Sequence, residues 1–203
     1  MSLVELIGQA DERGLAASGL ACLDRCVPLL GGDDEALRPL WADLASDTGG
    51  PEQWAGLLDQ VRGKLGGAGE FGPTGGEPGA DDSADSAGED EAVSLARRML
   101  AAAPVERSGD EMREWADACS VAALRIHQLL DPLTDAGDSL DARREGRTEG
   151  MSPLVAAELR RQVTVLELLA SHGPAGLRPA LEVSTEGRRV LRAVVSRRSR
   201  RRG

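Results

Sequence analysis

The sequence predicts an all-α fold, one or more helical bundles interrupted by a long disordered acidic Gly-rich linker, and three observations carry that prediction. Hydrophobic residues make up 41% of the 203, yet aromatic side chains are limited to three Trp and one Phe. A core must then be built from Leu, Val and Ala, and Leu and Ala favour helices where strands favour β-branched and aromatic residues. Apolar residues recur at spacings of three and four through most of the chain, the period of a helix with one buried face. Between Gly66 and Glu91 that period vanishes: 26 residues hold eight Gly, two Pro and eight acids, with Phe71 as the one large apolar side chain. Such a stretch buries too little surface to offset chain entropy.

The N-terminal segment, residues 1–65, reads as four amphipathic helices. Ser2 and Glu5 form a capping box for the first, with Gly14 as its stop. Ala16, Leu20, Leu23, Val27 and Leu30 share a face of the second, which Pro28 should kink or end. Asp33 and Asp34 are placed to cap a third helix carrying Leu37, Leu40, Trp41 and Leu44. Pro51 suits the first turn of a fourth, with Trp54, Leu57, Leu58, Val61 and Leu65 as its stripe.

After the linker, residues 66–91, a C-terminal bundle spans about 92–195. Leu95, Ala96, Met99 and Leu100 precede Pro104. Ser108 and Glu111 then open the strongest pattern in the chain, a coiled-coil-like seam of Met112, Trp115, Cys119, Ala122, Ile126, Leu129 and Leu133. Residues 134–150 read as a loop. Ser152 and Pro153 begin a helix whose inward face is Val155, Leu159, Val163, Leu166 and Leu169, closed by Gly173 and Pro174. A weaker helical signal runs to Val195, and 196–203 is a basic, solvated tail. The two helical blocks pack as one domain with the linker looping out, or stand as two independent bundles.

Little of this points to catalysis. Gly67, Gly69 and Gly72 spell G-x-G-x-x-G, but after a helix and ahead of Pro73, where a dinucleotide fold needs a preceding strand. Asp81, Asp82 and Asp85 form D-D-x-x-D, which resembles the aspartate-rich motif with which isoprenoid synthases hold magnesium-bound diphosphate. The resemblance covers five residues, set among Ser, Gly and Pro with no second metal motif, and we read them as a solvated acidic run. Cys22, Cys26, Cys119 and His127 offer zinc-type ligands, but without the closer C-x-x-C pairs of structural sites; cysteine at such positions is ordinarily a small buried apolar residue. His127 and Asp131 are spaced to pair on a helix surface. No cofactor is expected, and the chain reads as non-enzymatic.

Charge is the more informative property. The net charge of -10 divides into 30 acids against 13 bases over residues 1–150 and 4 acids against 11 bases over 151–203. Arg188, Arg189, Arg192, Arg197, Arg198, Arg200, Arg201 and Arg202 flank or follow Val190, Leu191, Val194 and Val195, a cationic amphipathic end suited to partner binding. With no apolar run of bilayer length, no signal segment and an odd cysteine count, a cytoplasmic location is expected. The leading expectation is a helical protein-protein interaction or regulatory protein. The alternatives are a nonspecific nucleic-acid-associated protein acting through the Arg tail, and an enzyme or ligand carrier with a pocket between helices.

Overall fold

The computed structural model describes residues 1–46, 50–66, 80–133 and 139–202, and the side chains of all these but 51, 80–85, 201 and 202. Among the described residues regular structure is helical throughout: α1 (Leu3–Gln9), α2 (Glu12–Cys26), α3 (Arg38–Ala45), α4 (Pro51–Gly66), α5 (Ala80–Ala101), α6 (Gly109–Leu130), α7 (Leu140–Arg144), α8 (Pro153–His172) and α9 (Leu177–Arg202). Single 3-10 turns lie at Val27–Leu30 and Gly173–Gly176.

Local chemistry sets the helix ends. The Ser2 and Glu5 capping box forms as expected, with Glu5 N–H donating to Ser2 Oγ at 3.2 Å and Ser2 N–H to Glu5 Oε2 at 2.7 Å. Gly14 is not the stop of α1. The Asp11 carboxylate accepts from Gly14 N–H at 2.7 Å, so the chain breaks at Ala10 and Gly14 falls in the first turn of α2. Pro28 ends α2 as expected, and the chain turns through Gly31 at φ 69°. Asp33 and Asp34 do not cap α3, which starts at Arg38 with Pro39 in its first turn, where a missing N–H costs nothing. Instead Asp33 Oδ1 accepts from Glu35 N–H at 3.0 Å within the preceding turn.

Three further expectations are corrected. Gly66 belongs to α4, and residues 80–91 of the expected linker are helical, forming the start of α5; 67–79 lie outside the described residues. Within 139–150 a short helix, α7, replaces the expected loop, because the Ser139 hydroxyl caps Ala142 N–H at 3.3 Å. The tail is also helical, since α9 continues to Arg202: arginines in its last turns meet the negative end of the helix dipole.

Helix α2 lies at the centre. Every residue from Gly14 to Cys26 is buried, with α6 and α9 as its main neighbours and α8, α3 and α5 around them. Because α6 packs against α2, α5 and α8 together, it buries a stripe broader than a two-helix seam, adding Ala116, Ala123, Leu124, His127 and Leu130 to the expected Met112, Trp115, Cys119 and Ile126. Leu133 falls past the helix end, ahead of which Pro132 disfavours α geometry, and is 58% exposed. One apolar cluster runs from Leu3 to Leu191 and draws on both halves of the chain.

The close approach of α2 to α6 rests on Gly19. A Cβ there would stand 2.6 Å from Trp115 Cε3, while Trp115 is held on its other side by donating Nε1–H to Met99 O at 2.9 Å. Gly19→Ala should therefore lower stability by about 1 to 3 kcal/mol, despite the better helix propensity of Ala. Urea unfolding checks this, and an unchanged midpoint would show that α2 and α6 can separate freely.

Candidate functional site

Four helices bring polar side chains to one point in this core. Arg25 projects from α2 on the line of Cys22, and Glu158 from α8 one turn before Gln162; both charged side chains are fully buried. The pair is bidentate. Arg25 Nε donates to Glu158 Oε2 at 2.8 Å and Nη2 to Oε1 at 2.6 Å, the fork-on-fork geometry that makes guanidinium and carboxylate well matched. From α9, Ser184 Oγ accepts from Arg25 Nη1 at 3.4 Å. Gln162 Nε2 donates to Glu158 Oε1 at 2.9 Å, and Ser120 Oγ on α6 donates to Gln162 Oε1 at 2.7 Å. Arg144 of α7 extends the chain outward, donating Nε to Ser120 Oγ at 3.1 Å and pairing with Asp117.

His127 completes the cluster from α6. Its Nδ1–H donates to Ala123 O at 2.7 Å, while Nε2 faces Glu158 Oε2 at 3.6 Å without a hydrogen bond. The expected surface pair with Asp131 does not form, because that face of α6 is buried. Asp131 instead accepts from Leu154 N–H at 2.8 Å, capping α8 in place of the Ser152 hydroxyl. Burial pushes His127 below the ordinary imidazole range, only partly opposed by Glu158 and the Ala123 bond, so it is held neutral. Burial alone would raise the Glu158 carboxyl, but Arg25, aided by the Gln162 amide, more than offsets this and keeps it ionised.

A second buried pair ties down α9. Arg188, 4% exposed, donates Nη1–H to Asp24 Oδ1 at 2.5 Å and sets Nε 3.3 Å from Asp34 Oδ1. Arg192 reaches the same Asp34 oxygen at 2.8 Å. Burial raises Asp24 to about 6 even with Arg188 and Arg25 nearby. Gly187 permits this fit, since a Cβ there would stand 2.3 Å from Arg25 Cδ.

The arginines singled out in the sequence thus divide. Arg188 and Arg192 serve α9 packing, and Arg198 donates to Leu130 O at 3.2 Å. Arg189, Arg197 and Arg200 are exposed on the other side of the helix, and the helix carries on through Arg201 and Arg202. Two grooves flank the 3-10 turn near Pro28. One, of about 730 Å³, is lined by Asp33, Glu35, Arg192 and Val195; the other, of about 660 Å³, by Glu89, Asp90, Val93 and Ser199. Cys22, Cys26 and Cys119 are free, buried thiols, all raised by burial and Cys22 to about 12, so they are protonated at neutral pH. Among the described residues no group of three or more His, Cys, Asp or Glu is arranged to hold a metal ion. Asp81, Asp82 and Asp85 lie in α5, their side chains outside the described residues.

Sequence reading missed Arg25, Glu158, Gln162 and Ser120. The available signal was positional: Glu158 and Gln162 fall within the arc bounded by Val155, Leu159, Leu166 and Leu169, polar residues on a face that has to be buried.

Removing one member of a buried ion pair strands the other. Glu158→Leu should cost about 3 to 5 kcal/mol in urea unfolding, and adding Arg25→Met should recover much of it. A loss in the double variant equal to the sum of the two single losses would show that the charges are not coupled. The pH dependence has two opposed parts. The folded protein holds His127 neutral where the unfolded chain protonates below about 6.5, so this group removes stability as pH falls through that range. Asp24 keeps its proton up to about 6 in the fold and up to about 3.9 when unfolded, so it adds stability as pH falls through that window. His127→Asn should flatten the acid-side loss and Asp24→Asn should steepen it, read from urea midpoints between pH 7 and 4.

No protein-family model matches this chain, and no curated protein or solved structure is similar to it.

Proposed function

We propose that this is a non-enzymatic helical protein-protein interaction or regulatory protein, working through its charged outer helix faces. The observation that carries the reading is where its reactive groups lie. Cys22, Cys26, Cys119, His127 and Glu158 are each 0 to 1% exposed. Their polar atoms are engaged inside the protein: Glu158 joins α8 to α2 through Arg25 and is held by Gln162 within α8, and His127 Nδ1 bonds Ala123 O within α6. The exposed charge, by contrast, lies in patches of both signs, with Asp33, Glu35 and Asp90 around the Pro28 grooves and Arg189, Arg197 and Arg200 on α9. Oppositely charged faces on a rigid helical body steer and orient partners more than they add affinity. Among the described residues no helix is long and apolar enough to cross a membrane.

Proximity labelling in the native cell should mark a reproducible protein neighbour that forms a defined complex with the purified chain. Labelling should weaken when either Asp33, Glu35 and Asp90 or Arg189, Arg197 and Arg200 are charge-reversed. A neighbour set insensitive to both reversals would overturn the reading.

A further inference from the structure

We propose that the outer face of α9 binds the phosphate backbone of duplex DNA without sequence preference, through Arg189, Arg197 and Arg200. This goes beyond the protein-interaction reading above by assigning one of the charged faces to nucleic acid.

Helix α9 is divided lengthwise. Leu177, Ala180, Ser184, Gly187, Arg188 and Leu191 are buried in a line at spacings of three and four, and Val194 and Val195 pack partly against the same core. A cationic amphipathic helix that lies on a lipid surface needs its apolar face free. Here that face is occupied by α2 and α8, which leaves charge as the means of contact. The exposed side carries the change of sign. Glu182 and Glu186 face Arg178 and Arg161 at 3.5 and 3.7 Å, and from Arg188 to the end the chain has eight Arg and no acid.

Arg189 and Arg200 are eleven residues apart, three helical turns, so they lie almost in line about 16 Å from each other, with Arg197 beside that line. Guanidinium groups pair bidentately with phosphate oxygens, and a straight row on a rigid helix suits a rigid, regularly spaced polyanion. Single strands are bound largely by stacking bases on aromatic rings, and Leu177–Arg202 contains none. It also lacks Asn and Gln, the side chains that read adenine edges; Arg can reach guanine edges, but most protein–DNA hydrogen bonds go to phosphate and sugar, and the backbone is the contact assigned here. The chain's net charge of -10 opposes the approach at long range. Screening limits that opposition to about 10 Å at 0.1 M salt, and Asp34, an acid whose field reaches Arg189, is itself paired with Arg188 and Arg192.

Fluorescence anisotropy of a labelled 20-base-pair duplex of random sequence, titrated with the full chain between about 50 and 200 mM salt, tests this. Binding should weaken with salt, with a log-log slope of roughly -0.9 for each phosphate contacted. The triple variant R189Q/R197Q/R200Q should lower that slope by about 2.7, and R178Q should leave it unchanged. Absence of binding at the lower salt, a slope unaltered in the triple variant, or equal affinity for polyglutamate would each overturn the proposal. The last result would assign the face to an acidic protein. Failure here together with a protein complex formed through the Asp33, Glu35 and Asp90 face would leave the broader interaction reading standing.

Discussion

The Arg25 to Glu158 ion pair, fully enclosed by α2, α6, α8 and α9, is the constraint around which the rest of the structure is arranged. Neither charge can be left alone in a low-dielectric interior, so the fold has to bring α2 and α8 together in one register and surround the pair with groups that use its remaining lone pairs and protons. Gln162, Ser184 and the Cys22 sulfur do so directly, and Ser120 acts through Gln162, so that all four helices take part. An apolar core of Leu and Ala, with few shapely aromatic rings, tolerates sliding of one helix along another. A bidentate pair with directional neighbours does not, and we take this as its structural value here.

The same constraint orients α9. Ser184 faces Arg25 and, one turn on, Arg188 meets Asp24, so two successive turns of α9 are tied to two successive residues of α2. Gly187 lets the backbones come close enough for both contacts. With Arg188 and Leu191 fixed inward, helical geometry leaves Arg189, Arg197 and Arg200 no choice but to face outward. The buried charges and the exposed ones are thus two consequences of a single helix rotation.

The chemistry of the buried groups follows from enclosure. The imidazole of His127 is neutral and the three thiols are protonated because desolvation penalises their charged forms, whereas Glu158 stays ionised because Arg25 is in contact with it. Sealed in this way they belong to the packed interior, and the charges that face solvent are those on the outer faces of the helices.

Helical periodicity in Leu and Ala, the Ser2 and Ser108 caps, and the breaks at Pro28, Pro51 and Pro153 were all decided locally, by backbone sterics and hydrogen bonding within a few residues, and were legible in the chain itself. The charge division between its two parts was legible for the same reason. What needed the tertiary structure was every pairing across distance. That α2 is central, that Arg25 finds Glu158 across 133 residues, that His127 turns inward instead of meeting Asp131, and that Arg188 and Arg192 pack while Arg189 does not, depend on how helix faces rotate against one another. Local spacing places a residue on a helix face, but only packing determines what that face meets.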